Sequence, residues 1–176
     1  KNLGISVSEV NEDQLTLARW IASGLAIPGV QDGKGDARYL LNNMIAKFNS
    51  ASDKYLISEK ALECFNSMNV DLEKEYSRSR FYGKKKPFIF EHSIPASIVR
   101  AQLFSQSNDF DTVLSTLQNS GVVAILLREE NLRLREMKLS RKMPVGWNWG
   151  GSLARYHEAG ITISDKKLFV TFAIVR

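Results

Sequence analysis

The chain is poor in several residues on which common sites are built. One cysteine, Cys64, among 176 residues excludes an internal disulfide and a cysteine-built zinc site. It falls in an apolar helical pattern with Ala61, Leu62 and Phe65, so it reads as a small buried hydrophobe. Only two histidines, His92 and His157, are present to supply imidazole chemistry. The longest apolar run, Gly121 to Leu127, falls far short of the roughly 18 residues of a membrane span. The first residues, KNLGISVSEVNEDQL, lack the apolar core of a secretory signal. There is no P-loop, dinucleotide fingerprint, G-x-S-x-G elbow, HExxH or EF-hand loop, and no internal repeat or low-complexity tract. Together these absences point to a cytoplasmic protein that does not engage a membrane.

What is present is an ordinary globular composition, 44% apolar and 24% charged, on a chain long enough to bury roughly 70% of its unfolded surface. One domain over residues 1–176 is expected, with a helical part over 11–70 and a mixed part over 71–176. The net charge of +5 favours anionic partners. Lysines and arginines gather from Arg78 to Lys86 and again from Arg128 to Lys142.

The periodicity predicts a mixed α/β (α+β) fold: a helical N-terminal part, then a small sheet with flanking helices. Residues 1–10 read as an extended lead-in, with Ile5 and Val7 alternating. Leu15, Ala18, Ile21, Ala22 and Leu25 recur at helical spacing behind an Asn11 cap. Pro28 and the glycines around it break the chain before a helix over 37–48. Tyr55 to Ile57 fits a strand or a helix lead-in, and Ser58 caps a third helix ending near Met68. These three helices form a small bundle. Helices follow from Ala96 to Phe104 and after a cap at Asn108 to Asp111. VVAILL has the continuous apolar character of a strand buried on both faces. Glu129 to Lys142 is an amphipathic charged segment with Leu132, Leu134, Met137 and Leu139 inward. After a Trp147-Asn148-Trp149 loop and one or two helical turns, 161–164 and 168–175 form a hairpin turned at Asp165-Lys166-Lys167.

The densest chemistry is KKKPFIFEHSIPAS, residues 84–97. Glu91 and His92 arrive at the end of a short apolar strand, and Pro95 turns the chain into a helix. A neutral imidazole supplies a base, and a carboxylate or amide supplies hard ligands for a metal. Neighbours on a regular strand face opposite ways, so the two share a site only where the strand ends or bulges. Glu91 equally suits an ion pair with Arg78, Arg80 or a lysine of the basic run. His92 equally suits a turn-capping role.

The string F-E-H-S-I-P-A-S is similar to the E-H-x-x-P-A core of His-Me finger nucleases, the superfamily of the HNH endonucleases and endonuclease I. The resemblance implies that His92 activates water and that Glu91 is a metal ligand. It also implies a magnesium site, with Mg2+ or Mn2+, completed by a downstream residue; Asn108 and Asn119 are the candidates. The Arg155 to Glu158 segment is a further source of a partner for the pair.

Phosphate contacts are expected from Arg78, Arg80, Lys84, Lys85, Lys86, Arg141, Lys142 and Arg155. Tyr76, Phe81, Tyr82, Trp147 and Trp149 suit base stacking, and Asn148 suits adenine recognition. The two tryptophans suit core packing equally well.

The leading expectation is a metal-assisted endonuclease acting on DNA, of the restriction or phage-defence kind. A non-catalytic nucleic-acid-binding module, a protein-interaction module or homo-oligomer using the tryptophan loop, and a metal-independent ribonuclease pairing His92 with His157 are the alternatives.

Overall fold

The computed structural model describes residues 10–31 and 35–171; the extended lead-in around Ile5 and Val7 lies outside them, as does the chain beyond Thr171. The fold is mixed α/β. In chain order, the described elements are α1 (Glu12–Leu25), α2 (Asp36–Ser50), β1 (Lys54–Ser58), α3 (Glu59–Ser67), β2 (Glu75–Ser77) with a 3-10 turn at Arg78–Arg80, and β3 (Phe88–His92). Then come α4 (Ala96–Phe104), α5 (Phe110–Gln118), β4 (Val123–Leu127), α6 (Arg128–Glu136), α7 (Ala154–Glu158) and β5 (Ile163–Thr171).

The five strands make one sheet in the order β2-β5-β1-β4-β3. β1 runs parallel to β4 and antiparallel to β5, β2 runs parallel to β5, and β3 runs antiparallel to β4. Tyr55 to Ile57, readable as strand or helix lead-in, is thus the middle strand. Alternation along β4 splits its side chains between two cores. Val123 and Ile125 join Tyr55, Phe65, Phe81 and Phe88 on one face, and Ala124 and Leu126 join Leu134, Tyr156 and Ile161 on the other.

A third core is helical. Ala18, Ile21 and Leu25 of α1 meet Leu41, Ile45 and Phe48 of α2, Val99 and Leu103 of α4, and Val113 and Leu117 of α5. The expected bundle of the first three helices is corrected here. α3 is absent from this core and lays Ala61 and Phe65 on the sheet, because its strand β1 delivers it there. Cys64 packs half-buried beside them rather than fully inside.

Polar side chains tie the layers together at helix ends. Asn11 caps α1 through Gln14 N–H at 2.9 Å and also donates to the Ala51 carbonyl at 2.6 Å. Ser58 caps α3 by accepting from Ala61 N–H at 3.2 Å while donating to the buried Glu130 carboxylate at 2.6 Å. Glu130 also accepts from Leu127 N–H at 2.8 Å, so one carboxylate joins the starts of α3 and α6.

Two expectations about elements are corrected. The hairpin at Asp165-Lys166-Lys167 is a single strand, β5, whose register against β1 shifts between Leu56↔Lys167 and Ser58↔Ile163. The polar residues that read as a turn are absorbed as a bulge, with Lys166 N–H donating to Ser164 Oγ at 3.0 Å. The charged amphipathic segment read from Glu129 to Lys142 is helical only as far as Glu136. Lys138 takes φ +60, and Leu139 N–H turns back onto the Leu134 carbonyl at 2.8 Å. Leu134 and Leu139 are buried, whereas Leu132 and Met137 are exposed.

The start of β4 approaches the end of β3 through Ser93, whose N–H donates to the Val122 carbonyl at 2.8 Å and whose Oγ accepts from Val122 N–H at 2.9 Å. Gly121 makes this approach with φ +93, and a Cβ there would collide with Ser93 Oγ and sit 3.2 Å from the Ile94 nitrogen. Gly121→Ala is therefore expected to cost about 2 kcal/mol or more, read as a lower urea midpoint; an unchanged midpoint would refute the fit.

Candidate functional site

A cleft of about 420 Å3 opens at the end of β3. Glu91, His92 and Pro95 form one side, and Ala96 and Ser97 bring the first turn of α4. Asn42 comes from α2, Ser140 and Arg141 from the segment after α6, and Arg155 from α7. Glu91 and His92 both border the cleft while still paired in the sheet, opposite Ala124 and Val123. No bulge is needed. β3 is an edge strand, so residues pointing to its two faces can both border a cleft at its open end.

Arg155 is the centre of the arrangement, with 0% of its surface exposed. Its Nε–H donates to the Ser93 carbonyl at 3.0 Å. One terminal nitrogen donates to the carbonyls of Leu139 at 2.8 Å and Ser140 at 3.2 Å. The other donates to Glu91 Oε1 at 2.5 Å and to the His92 carbonyl. A guanidinium has five N–H donors, and all five are taken by protein. The expected phosphate contact from Arg155 is corrected accordingly, since it has no donor left for a ligand. It is instead the partner that reaches Glu91, as an ion pair rather than as a metal ligand. Tyr156, fully buried beside it, donates to the Glu91 carbonyl at 3.2 Å, and burial pushes its phenol well above the usual range.

His92 is half-buried, and its Nδ1 is buried with no hydrogen bond to any described residue. Burial first, then the positive charges of Arg78 and Arg155, lowers its pKa from 6.5 to about 4. At neutral pH it is an uncharged imidazole. Arg78 itself lies over the rings of Tyr82 at 4.7 Å and Phe90 at 5.3 Å.

α4 enters the cleft with no side-chain cap at Pro95. The amides of Ala96 and Ser97, in its first turn, have no acceptor within the helix. Asn42 accepts from Arg100 of α4 at 3.0 Å, which holds α2 against that turn.

The other expected site residues fall elsewhere. Asn108 and Asn119 are exposed at the two ends of α5 and do not line the cleft. Asn119 donates to the Ser115 carbonyl at 2.8 Å. Among the described residues, no three of His, Cys, Asp and Glu come together as a metal-binding group. His157 is exposed on α7 and is not a lining residue, so the cleft holds one histidine of the two. Arg80 lies over Tyr76 at 4.5 Å. Lys84, Lys85, Lys86 and Lys142 are exposed outside the cleft, and Arg141 is exposed on its lining. Trp147 and Trp149 pack, 5.0 Å apart, against the helical core, while Asn148 between them is exposed.

Three polar lining residues, Asn42, Ser97 and Ser140, escaped the sequence reading. Ser97 sits inside the EHSIPAS string and was within reach. Asn42 and Ser140 carry no local signal, because only the packing of α2 and the stop of α6 bring them here. Comparison of the chain with protein-family models, curated proteins and solved structures finds no match.

Arg155→Met is expected to cost about 3–5 kcal/mol, the usual penalty for breaking one side of a buried charge pair; a shift below 1 kcal/mol in denaturant unfolding would contradict the network. For His92, the folded pKa lies below the unfolded one, so the unfolded state binds its proton first. Stability from this group is intact above pH 6.5 and drains as pH falls toward 4. Wild type should lose more stability across that window than His92→Asn, and parallel pH curves would refute the shift.

Proposed function

We propose that the protein is directed at nucleic acid and that the cleft takes a backbone phosphate. The observation that carries this reading is the balance of charge. Glu91, the one carboxylate lining the cleft, is paired with Arg155. Arg141, the first-turn amides of α4 and the hydroxyls of Ser97 and Ser140 are then donors with no anion of their own. A cation, helix N-terminal amides and hydroxyls are the groups that hold phosphate. The exposed lysines at 84–86 and the net charge of +5 add long-range attraction. A cytoplasmic setting, with its nucleic acids, accords with the single free thiol.

Hydrolysis is the second reading, favoured by His92 lining the same cleft as an uncharged base. In it, the imidazole takes a proton from water, the hydroxide oxygen bonds to phosphorus, and the ester P–O bond opens to a leaving alkoxide that is protonated by solvent. Mg2+ or Mn2+ would find oxygen ligands in Glu91 and Asn42. This is the endonuclease of the resemblance to His-Me finger nucleases, acting on DNA.

Titration of labelled DNA and RNA at low salt, with and without Mg2+ or Mn2+, tests both. Binding should weaken steeply with salt, and Arg141→Ala should weaken it about tenfold, the scale of one charge-assisted phosphate contact. Cleavage that disappears in His92→Asn while binding stays would establish the second reading. Absence of binding to either nucleic acid would remove both and leave a protein-docking role for the tryptophan loop.

A further inference from the structure

The outer edge of β3 runs between the lysine turn and the cleft. The turn is held in one shape: Lys86 N–H donates to the Gly83 carbonyl at 3.0 Å. Arg128, at the start of α6, donates to the carbonyls of Lys86 and Gly83, each at 2.6 Å, and of Lys84 at 3.2 Å. Three exposed lysines therefore stand on a braced backbone with a fourth positive charge beside it. Immediately before the turn in the chain is Tyr82, bridged to Phe88. Its ring centroid is 5.7 Å from that of Phe90, the Arg78 guanidinium lies over it, and it remains 49% exposed. From Phe88 to His92 the strand advances about 13 Å, ending at the cleft.

We propose that this edge is a track for single-stranded nucleic acid, with phosphates held at the lysine turn and in the cleft and an intervening base stacked on Tyr82. The inference rests on the reading of the cleft given above and deepens it by naming an unpaired strand as the partner. A duplex keeps its bases stacked on one another and offers no free face to an aromatic side chain, whereas an unpaired base does. The neighbouring aromatics do not compete for this role. Phe81 is buried in the core and Tyr76 is half-buried, whereas Tyr82 is exposed. Stacking is indifferent to base identity, so the track is expected to tolerate sequence.

Fluorescence anisotropy with a labelled strand of about 16 nucleotides, alone and annealed to its complement, tests this on the whole chain. The single strand should bind more tightly than the duplex. Tyr82→Ala should weaken the single strand about tenfold and leave the duplex unchanged, and Tyr82→Phe should retain wild-type binding because the ring remains. Circular dichroism on each variant checks folding. Equal or tighter binding of the duplex, or a Tyr82→Ala protein that binds the single strand as well as wild type, would overturn the track while leaving the cleft reading standing. Loss of binding in Tyr82→Phe as severe as in Tyr82→Ala would also overturn it, since the ring would then not be what matters. Binding of neither form at low salt would remove the cleft reading and this one with it.

Discussion

A buried guanidinium is tolerable only when every N–H finds an acceptor, because stripping a cation of water costs several kcal/mol. Arg155 meets that condition with five acceptors drawn from two places: the Glu91 to Ser93 end of β3 and the Leu139 to Ser140 segment after α6. The first is held by the sheet along one side only, and the second lies outside regular structure. The strand is finishing at the first, and the helix has stopped at Glu136, with the chain turning at Lys138, before the second. The arginine ties the two together by collecting their carbonyls. The cleft walls are therefore set by one side chain that does not offer a donor to the cleft itself. The same charge neutralises Glu91 and helps keep His92 unprotonated.

The helices were legible because their ends announce themselves. Asn11, Ser58 and Asp109 are caps in the structure as their residue types imply, and each accepts from the backbone three residues on. Strand β4 was legible from its unbroken apolar run. The sheet's centre was not, because KYLIS is too short to carry a period, and only pairing with β4 and β5 makes it a strand. Lys166 and its neighbours misled because a polar bulge and a polar turn have the same composition.

Glu91 and His92 were found as a pair, and the pair does border a cleft. Their relation was not legible, since it depends on β3 being an edge strand, and an edge is defined only by what fails to pair with it. The same holds for partners. Arg155 lies 64 positions from Glu91, and nothing local distinguishes it from the exposed Arg141 or Arg80. Burial makes the difference. It turned one cation into a structural centre and left the others to solvent and to the rings of Tyr76 and Tyr82.

Among the described residues, only one ladder, β3 with β4, joins strands consecutive in the chain, and the helices α4 and α5 lie between those two. β1 pairs with β4 and β5, β2 with β5, and β3 with β4. Every ladder thus joins residues separated by at least one other element, and the sheet contains no hairpin from which to start. The entropy of closing those loops must be met before any strand contact repays it. The hydrogen bonds inside each helix form locally, but the helical core also joins α1 and α2 to α4 and α5 far along the chain. β5, the last strand, supplies both β1 and β2 with a neighbour. A polypeptide wired this way is expected to reach its native state slowly for its size, and to expose the apolar faces of β1 and β4 for longest on the way.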